Sequence, residues 1–225
     1  MDTDFLRQAL RSKRELFVRF HQFSDQPGRY IHAEHLREEW NPGLLSRLRS
    51  SARGRRKLTD WVRSRWALEA VDFREFETEA QRVALLDCAV LERLTSLTGA
   101  ALYGRRIALV VDRATQTRMK EALGEDYLFA LKRAPFLVKH LPDRLAEPLG
   151  EDTAGQLQEA GRICLMSCVA DCSQGVLDRL ALKLPPGFRV NRETALSDTE
   201  RRDLWKPMKR ILLSEVDPTL ASCFD

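Results

Sequence analysis

The sequence has no apolar run long enough to cross a lipid bilayer. Its longest uninterrupted apolar stretch, Ile107–Val111, falls far short of the roughly 18 to 20 residues that a membrane-spanning helix requires. The first residues, Met1–Asp4, include two acids where a signal peptide carries basic residues, and no apolar segment follows them. We therefore expect a cytoplasmic protein without a transmembrane segment.

Cysteine is scarce and odd in number. Five cysteines in 225 residues argue against a disulfide framework, and a hydrophobic fraction of 44% is enough to build a core without one. Cys164, Cys168 and Cys172 recur every four residues and would share one face of a helix. They could hold a soft metal there, but structural zinc sites usually draw pairs of ligands from turns, and cysteine commonly packs as a small hydrophobe. We favour core packing and predict no metal and no cofactor.

The common catalytic motifs are missing as well. His32 and His35 are three residues apart, whereas a zinc protease needs His-Glu-x-x-His, and the cysteine element of a zinc deaminase is absent. Gly99 and Gly104 have the spacing of a phosphate-binding loop but lack its Lys-Ser/Thr pair. We predict instead that Gly104 ends a helix. The sequence accordingly predicts a protein that is not an enzyme.

Positive charge is concentrated in one segment. The stretch from Gly43 to Ala67 carries eight basic residues and one acid, whereas the other 200 residues carry 29 basic and 32 acidic residues. The formal net charge of +4 therefore divides into about +7 on this stretch and about −3 elsewhere. The basic residues are Arg47, Arg49, Arg53, Arg55, Arg56, Lys57, Arg63 and Arg65.

The sequence leaves three interpretations of this segment open. It can be an ordinary solvated face, or it can dock on an acidic protein surface. It can also bind nucleic acid, with the basic side chains on phosphates and with Trp61 and Trp66 stacked on bases. Two observations argue against nucleic-acid binding. The tryptophans are five residues apart, which does not place them on one helical face, and no nucleic-acid-binding module surrounds them.

Helical periodicity dominates the chain and predicts a mainly α fold. The strongest segment runs from about Thr78 to Tyr103, with apolar residues spaced by three or four. Ile107–Val111 is strand-like, although a buried helix start fits it equally. Leu180–Leu184 alternates apolar and polar residues before two prolines, which allows at most a minor β-hairpin near residues 179–191. The length suits a single compact multi-helix domain over residues 1–225.

Four segments, taken in order, resemble the K component of the type III secretion sorting platform, the SctK or YscK family. Tyr30–Trp40 has the early Tyr-x-His, Leu and Trp element, and Ala84–Ile107 resembles the central Leu-rich helix that ends in small residues and a basic pair. Leu180–Pro185 resembles a Leu/basic run closed by proline, and Met208–Phe224 resembles the family's tail. Residues 1–22 depart from the pattern as an N-terminal helical extension, and residues 44–66 are more basic than expected.

This resemblance implies a non-enzymatic cytoplasmic adaptor of a bacterial injectisome that is required for protein secretion. Such proteins link the cytosolic domain of the SctD-type inner-membrane ring protein to SctQ, which holds the stator SctL and the ATPase SctN. The implied location is peripheral to the inner membrane at the injectisome base. The alternative is a nucleic-acid-binding regulatory protein that uses the basic segment 47–65.

An adaptor concentrates its binding energy in a few aromatic and arginine anchors. We hypothesise that Tyr30, His32 and Trp40 shape one docking face, and that the basic segment meets an acidic protein surface. Trp40 and Leu36 would serve equally well as core residues. The partner-binding candidates are Tyr30, His32, Trp40, Arg47, Arg49, Arg53, Arg56, Lys57, Arg63 and Arg65.

Overall fold

A computed structural model describes residues 14–137, 150, 152–186 and 196–224. The chain divides into two compact units, of which the first comprises Met1–Cys88, Asp171–Val190 and Leu220–Asp225, and the second Ala89–Ala170 and Asn191–Thr219. Every regular element among the described residues is helical, which confirms the mainly α class. This division does not test whether residues 1–225 form a single domain, which stays a prediction.

The helices range in length from four residues to 22. Among the described residues the α-helices are α1 (Arg14–Asp25), α2 (Pro27–Tyr30), α3 (Pro42–Ser50), α4 (Ala52–Arg65), α5 (Cys88–Leu109), α6 (Arg113–Leu123), α7 (Tyr127–Lys132), α8 (Ala134–Leu137), α9 (Thr153–Val169), α10 (Gln174–Lys183) and α11 (Asp198–Ile211). Short 3₁₀ segments are Ala33–Leu36, Phe73–Phe76, Gln81–Leu85, Gly124–Asp126 and Pro218–Cys223, and Leu212–Val216 is a π-helical turn. In this described part, no helix combines the length and the apolar composition that a membrane span needs.

The core of the first unit forms around α4. Ser51 caps this helix by accepting a hydrogen bond from the Gly54 amide at 3.0 Å. Leu58 and Val62, four residues apart, are fully buried and face one side. The cluster that they join comprises Ile31, Leu36, Leu45 and Leu182, with Tyr30, Trp40, Trp61, Trp66 and Leu68 packed against it. The basic residues of α4 that lie away from this apolar side are therefore left to solvent.

The core of the second unit forms along α5. Its buried members are Ala100, Tyr103, Ile107, Met119, Ala130, Leu157 and Ala160. The prediction that Gly104 ends this helix is wrong. Gly104 lies inside the helix and is buried. A Cβ at this position would lie 2.6 Å from the carbonyl oxygen of Ala130, so the glycine allows close packing. The strand-like run from Ile107 consequently continues α5 as far as Leu109.

The first arm of the hairpin allowed near residues 179–191 is also helical. Ser173 caps α10 by accepting from the Val176 amide, and Val176, Leu177 and Leu180 are buried at helical spacing. The apparent alternation covered only five residues, whereas the helical pattern begins before it. The second arm lies outside the described residues. Of the N-terminal extension over residues 1–22, the described part belongs to α1, which continues to Asp25.

A capping box formed by Ser197 and Glu200 starts α11. The Ser197 hydroxyl accepts from the Glu200 amide at 3.4 Å, and the Glu200 carboxylate accepts from the Ser197 amide at 2.8 Å. Pro207 lies inside α11, which continues to Ile211. We expect Ser197→Ala to lower the free energy of unfolding by about 1 kcal/mol in urea titrations. Ser46→Ala, at an exposed position of α3, should leave it unchanged or slightly raised, and an equal loss in both variants would contradict the capping role.

Candidate docking surface

The exposed part of the basic segment is a narrow face of α4. Arg53, Arg56 and Lys57 lie within about one turn of this helix and are all exposed. We call these three residues the cationic face. Arg47 is exposed on α3. Within the described part of the chain none of the four has an ion-pair partner, so their charges are available to another molecule.

The other predicted basic residues stabilise the first unit. The Arg49 guanidinium donates to the carbonyl oxygen of Ile31 at 2.6 Å, and burial lowers its pKa. Arg63 donates to the Ser24 carbonyl oxygen at 3.2 Å and to Asp25 at 3.1 Å. Arg65 pairs with Glu39 at 3.1 Å and lies 5.7 Å from the centre of the Trp66 ring. Such half-exposed pairs each contribute little stability, but they orient their side chains.

The three other candidates pack within the first unit. Tyr30 stacks on Phe23 at 5.8 Å and donates to its carbonyl oxygen at 2.9 Å, and burial raises the pKa of the phenol. His32 caps the Ala33–Leu36 segment and donates its amide to the Leu182 carbonyl oxygen at 2.7 Å. Packing and capping account for these positions, and a docking role for them stays a prediction.

Trp40, the third, belongs to an aromatic cluster. Its ring meets that of Trp61 edge-on at 5.2 Å, its indole nitrogen is buried, and neighbouring Leu36 is fully buried. Trp61 in turn meets Trp66 at 5.6 Å and 83°. The five-residue spacing still brings these two together, because Trp66 is the C-cap residue of α4 and leaves the regular helical path, at a φ of −106°. Rings that meet edge-on against a core do not form a flat platform for bases, which weakens the nucleic-acid alternative.

A groove next to the cationic face contains residues that the sequence analysis did not select. Its volume is about 460 Å³, and α1, α2 and α4 all contribute to its lining. Arg29 and Arg55 are not among the predicted partner-binding residues, whereas Arg56 and Arg63 are. Arg29 is separated from the basic segment along the chain, so its position in the groove could not be read from local charge. The charged lining residues are Arg29, Arg55, Arg56, Arg63, Asp25 and Asp60.

Lys183 is a buried cation at a position where the sequence pattern indicates exposure. Its ammonium donates to the carbonyl oxygens of Ala84 at 2.8 Å and Leu86 at 2.7 Å. It lies 4.8 Å and 5.0 Å from the ring centres of Phe23 and Tyr30. Burial lowers the pKa of Lys183 from 10.5 to about 8. These contacts join α10 to the segment before α5 within the first unit.

Burial favours packing for the three cysteines, but they do not share one helical face as predicted. Cys164 and Cys168 lie on α9, whereas Cys172 lies beyond the end of this helix at Val169. Cys164, Cys168 and Cys172 are buried, and the Cys168 sulfur lies 3.6 Å from that of Met208. Burial raises the pKa of the Cys164 thiol, which keeps it protonated. Among the residues that the structure describes, no group of three or more His, Cys, Asp or Glu side chains is arranged to hold a metal.

These features define an all-helical class of protein with an exposed cationic face. The chain belongs to the YscK family, described as YOP proteins translocation protein K, whose pattern matches residues 17–225. This confirms the resemblance, and the match begins inside the predicted extension and includes the basic segment. The chain is also similar to the solved cytoplasmic domain of the T3SS sorting platform protein PscK from P. aeruginosa, at 22% identity and a TM-score of 0.56 over 86% of this chain and 92% of that one. A comparison with curated proteins finds no match.

Proposed function

We propose that the protein is a non-enzymatic adaptor of a type III secretion sorting platform. It links the cytosolic domain of an SctD-type inner-membrane ring protein to an SctQ-type component, and through it to SctL and the ATPase SctN. It thereby supports protein secretion from the cytoplasmic side of the inner membrane, at the injectisome base. Membership of the YscK family supports this role, and the helical fold agrees with it. The observation that carries the docking part of the proposal is the cationic face.

The cationic face suits docking because it is both charged and rigidly held. Leu58 and Val62 anchor α4 in the core, and Gly28 of α2 lies against its backbone so closely that a Cβ there would be 2.7 Å from the Thr59 nitrogen. Because the backbone of α4 is already fixed, only the three side chains lose conformational entropy when a partner binds. An acidic partner surface would be attracted over a distance of about 8–10 Å at physiological ionic strength.

Reversing the charge of the cationic face should weaken partner binding without unfolding the protein. We expect the triple variant Arg53→Glu, Arg56→Glu, Lys57→Glu to lower affinity for the SctQ-type or the SctD-type partner by about 10-fold or more at low ionic strength. Co-purification and titration calorimetry with each partner measure this effect. Thermal unfolding should stay close to that of the parent protein, because all three side chains are exposed.

A matched control makes the same change in net charge elsewhere. Arg105, Arg113 and Arg210 are exposed residues of the second unit, and reversing all three should affect neither partner by more than about 3-fold. An equal loss in both triple variants would show that net charge alone matters. Unchanged binding of both partners by the α4 variant would contradict docking through the cationic face.

A further inference from the structure

We propose that the groove beside the cationic face binds an acidic peptide segment of a partner protein. The proposal rests on the adaptor function and names the chemistry that the adaptor recognises. We call the feature the arginine groove, after the guanidinium groups of Arg29, Arg55, Arg56 and Arg63 that line its volume of about 460 Å³. Arginine fits carboxylates well because its planar fork can donate two parallel hydrogen bonds to one carboxylate.

Two of the four arginines are held in place by the first unit itself. Arg55 donates to the carbonyl oxygens of Arg49 at 2.9 Å and Ser50 at 3.3 Å, at the end of α3. Arg63 donates to Ser24 and Asp25, at the end of α1. A guanidinium has five N–H donors, so each retains donors for a ligand. The walls of the groove are thus pre-organised while part of their hydrogen-bonding capacity stays open.

The other two arginines are more available. Arg29 donates to Gln26 at 3.1 Å on the surface, and Arg56 has no partner in the described part of the chain. Both are exposed, so a ligand can reach them without displacing a buried contact. They are the side chains that we expect to contribute most to affinity for an added carboxylate, because binding costs them no existing ion pair.

The acids of the groove favour a peptide over a nucleic acid. Asp25 is already paired with Arg63, but Asp60 is exposed and has no partner among the described residues. A nucleic-acid strand carries one phosphate charge per nucleotide and would bring several against Asp60. An acidic peptide separates its carboxylates by neutral backbone, whose N–H groups can donate to Asp60. Four arginines against two aspartates still leave the groove with a net positive charge.

A second cavity adjoins the groove at Arg29. Its volume is about 230 Å³, and Arg29, Arg19, Asp87 and Lys183 are among its lining residues. Arg19 donates to Asp87 at 3.3 Å and Lys183 is buried, so Arg29 is the exposed cation that the two cavities share. The open space therefore continues past Arg29, beyond the end of the arginine groove. This continuity suits an extended acidic segment better than a single carboxylate.

The direct test is fluorescence anisotropy with a synthetic peptide of about ten residues that alternates Glu and Gly and carries a fluorescein label. The parent protein should bind it saturably at low ionic strength and should not bind the matching Gln-Gly peptide. We expect Arg29→Ala with Arg56→Ala to weaken binding by about 10-fold or more. Arg105→Ala with Arg113→Ala, at exposed positions of the second unit and outside the groove lining, should weaken it by less than about 3-fold. Circular dichroism should show all variants folded.

Three results would overturn the proposal. One is the absence of saturable binding by the parent protein, and another is an equal loss in the two double variants. The third is tighter binding of a single-stranded oligonucleotide of equal charge that Arg29→Ala with Arg56→Ala abolishes, since this would assign the groove to nucleic acid. Partner co-purification separates this proposal from the adaptor function. Suppose that the α4 triple variant no longer binds its partner, whereas Arg29→Ala with Arg56→Ala still binds both peptide and partner. This result would support the adaptor function and contradict peptide binding in the arginine groove.

Discussion

The free energy of unfolding of the parent protein should rise by about 3 kcal/mol between pH 8 and pH 10.5, and replacing Lys183 with methionine should abolish this rise. Burial lowers the pKa of this lysine from 10.5 to about 8. Between these two values the unfolded chain binds a proton that the folded chain has already released, so the free energy of unfolding rises with pH. Below about pH 8 both forms are protonated, and this contribution becomes constant.

At pH 7 the same substitution has two opposing effects on stability. Methionine fills the volume of the lysine stem but leaves the carbonyl oxygens of Ala84 and Leu86 without their donor, at a cost of about 1–3 kcal/mol each. Removing a buried charge offsets about 3 kcal/mol of that cost. The net change should therefore lie between a gain of about 1 kcal/mol and a loss of about 3 kcal/mol. Lys183→Ala also leaves a cavity, and we expect it to cost about 2–5 kcal/mol.

Urea unfolding followed by tryptophan fluorescence between pH 7 and pH 10.5 measures both effects. Three of the four tryptophans, Trp40, Trp61 and Trp66, belong to the first unit, and Trp205→Phe removes the remaining signal. The comparison of variant with parent cancels other groups that titrate in this range. Lys57→Met, at an exposed position of α4, should keep the parent slope. A parent slope in Lys183→Met would show that the buried ammonium does not control it.

The sequence could not predict the position of Lys183. Within Leu180–Leu184 the lysine falls on the polar side of an apparent alternation, which indicates exposure. Its burial depends instead on the carbonyl oxygens of Ala84 and Leu86, which precede it by 99 and 97 residues. In contrast, the capping box at Ser197 was predictable, because its hydrogen bonds join residues three apart.

The candidate site likewise has one part that the sequence predicts and one part that it does not. Charge along the chain located the cationic face, and the helical phase set by Leu58 and Val62 explains why Arg53 and Arg56 are exposed. The arginine groove could not be found in this way, because Arg29 reaches it from α2. A residue contributed by a second helix depends on tertiary packing, which local periodicity does not describe.

A second large effect is expected where two helices of the second unit touch through glycine. An ideal Cβ on Gly99 of α5 would lie 2.8 Å from the carbonyl carbon of Leu157 and closer still to its oxygen. A Cβ on Gly161 of α9 would collide in the same way with the Thr95 carbonyl group. Because backbone rather than a flexible side chain is in the way, the helices themselves must separate.

We therefore expect Gly161→Ala and Gly99→Ala each to lower the free energy of unfolding by about 3 kcal/mol. This loss is net of the roughly 1 kcal/mol that alanine gains over glycine in a helix. Thermal unfolding followed by circular dichroism should show a decrease in Tm of roughly 6–12 °C. Arg105→Ala, at an exposed position of α5, should stay within about 0.5 kcal/mol of the parent protein. A loss below about 1 kcal/mol in both glycine variants would show that the helices have room.

The double variant distinguishes a shared contact from two separate ones. The Cβ on Gly99 would also lie 3.3 Å from the Gly161 nitrogen, so the two glycines meet at one crossing. Once the helices separate to admit the first methyl group, the second should cost less, and the double variant should lose at least about 1 kcal/mol less than the two single losses together. Gly161→Ala combined with Ser197→Ala has no such coupling and should be additive within about 0.5 kcal/mol. Additive glycine losses would mean that each methyl group is accommodated by its own local shift.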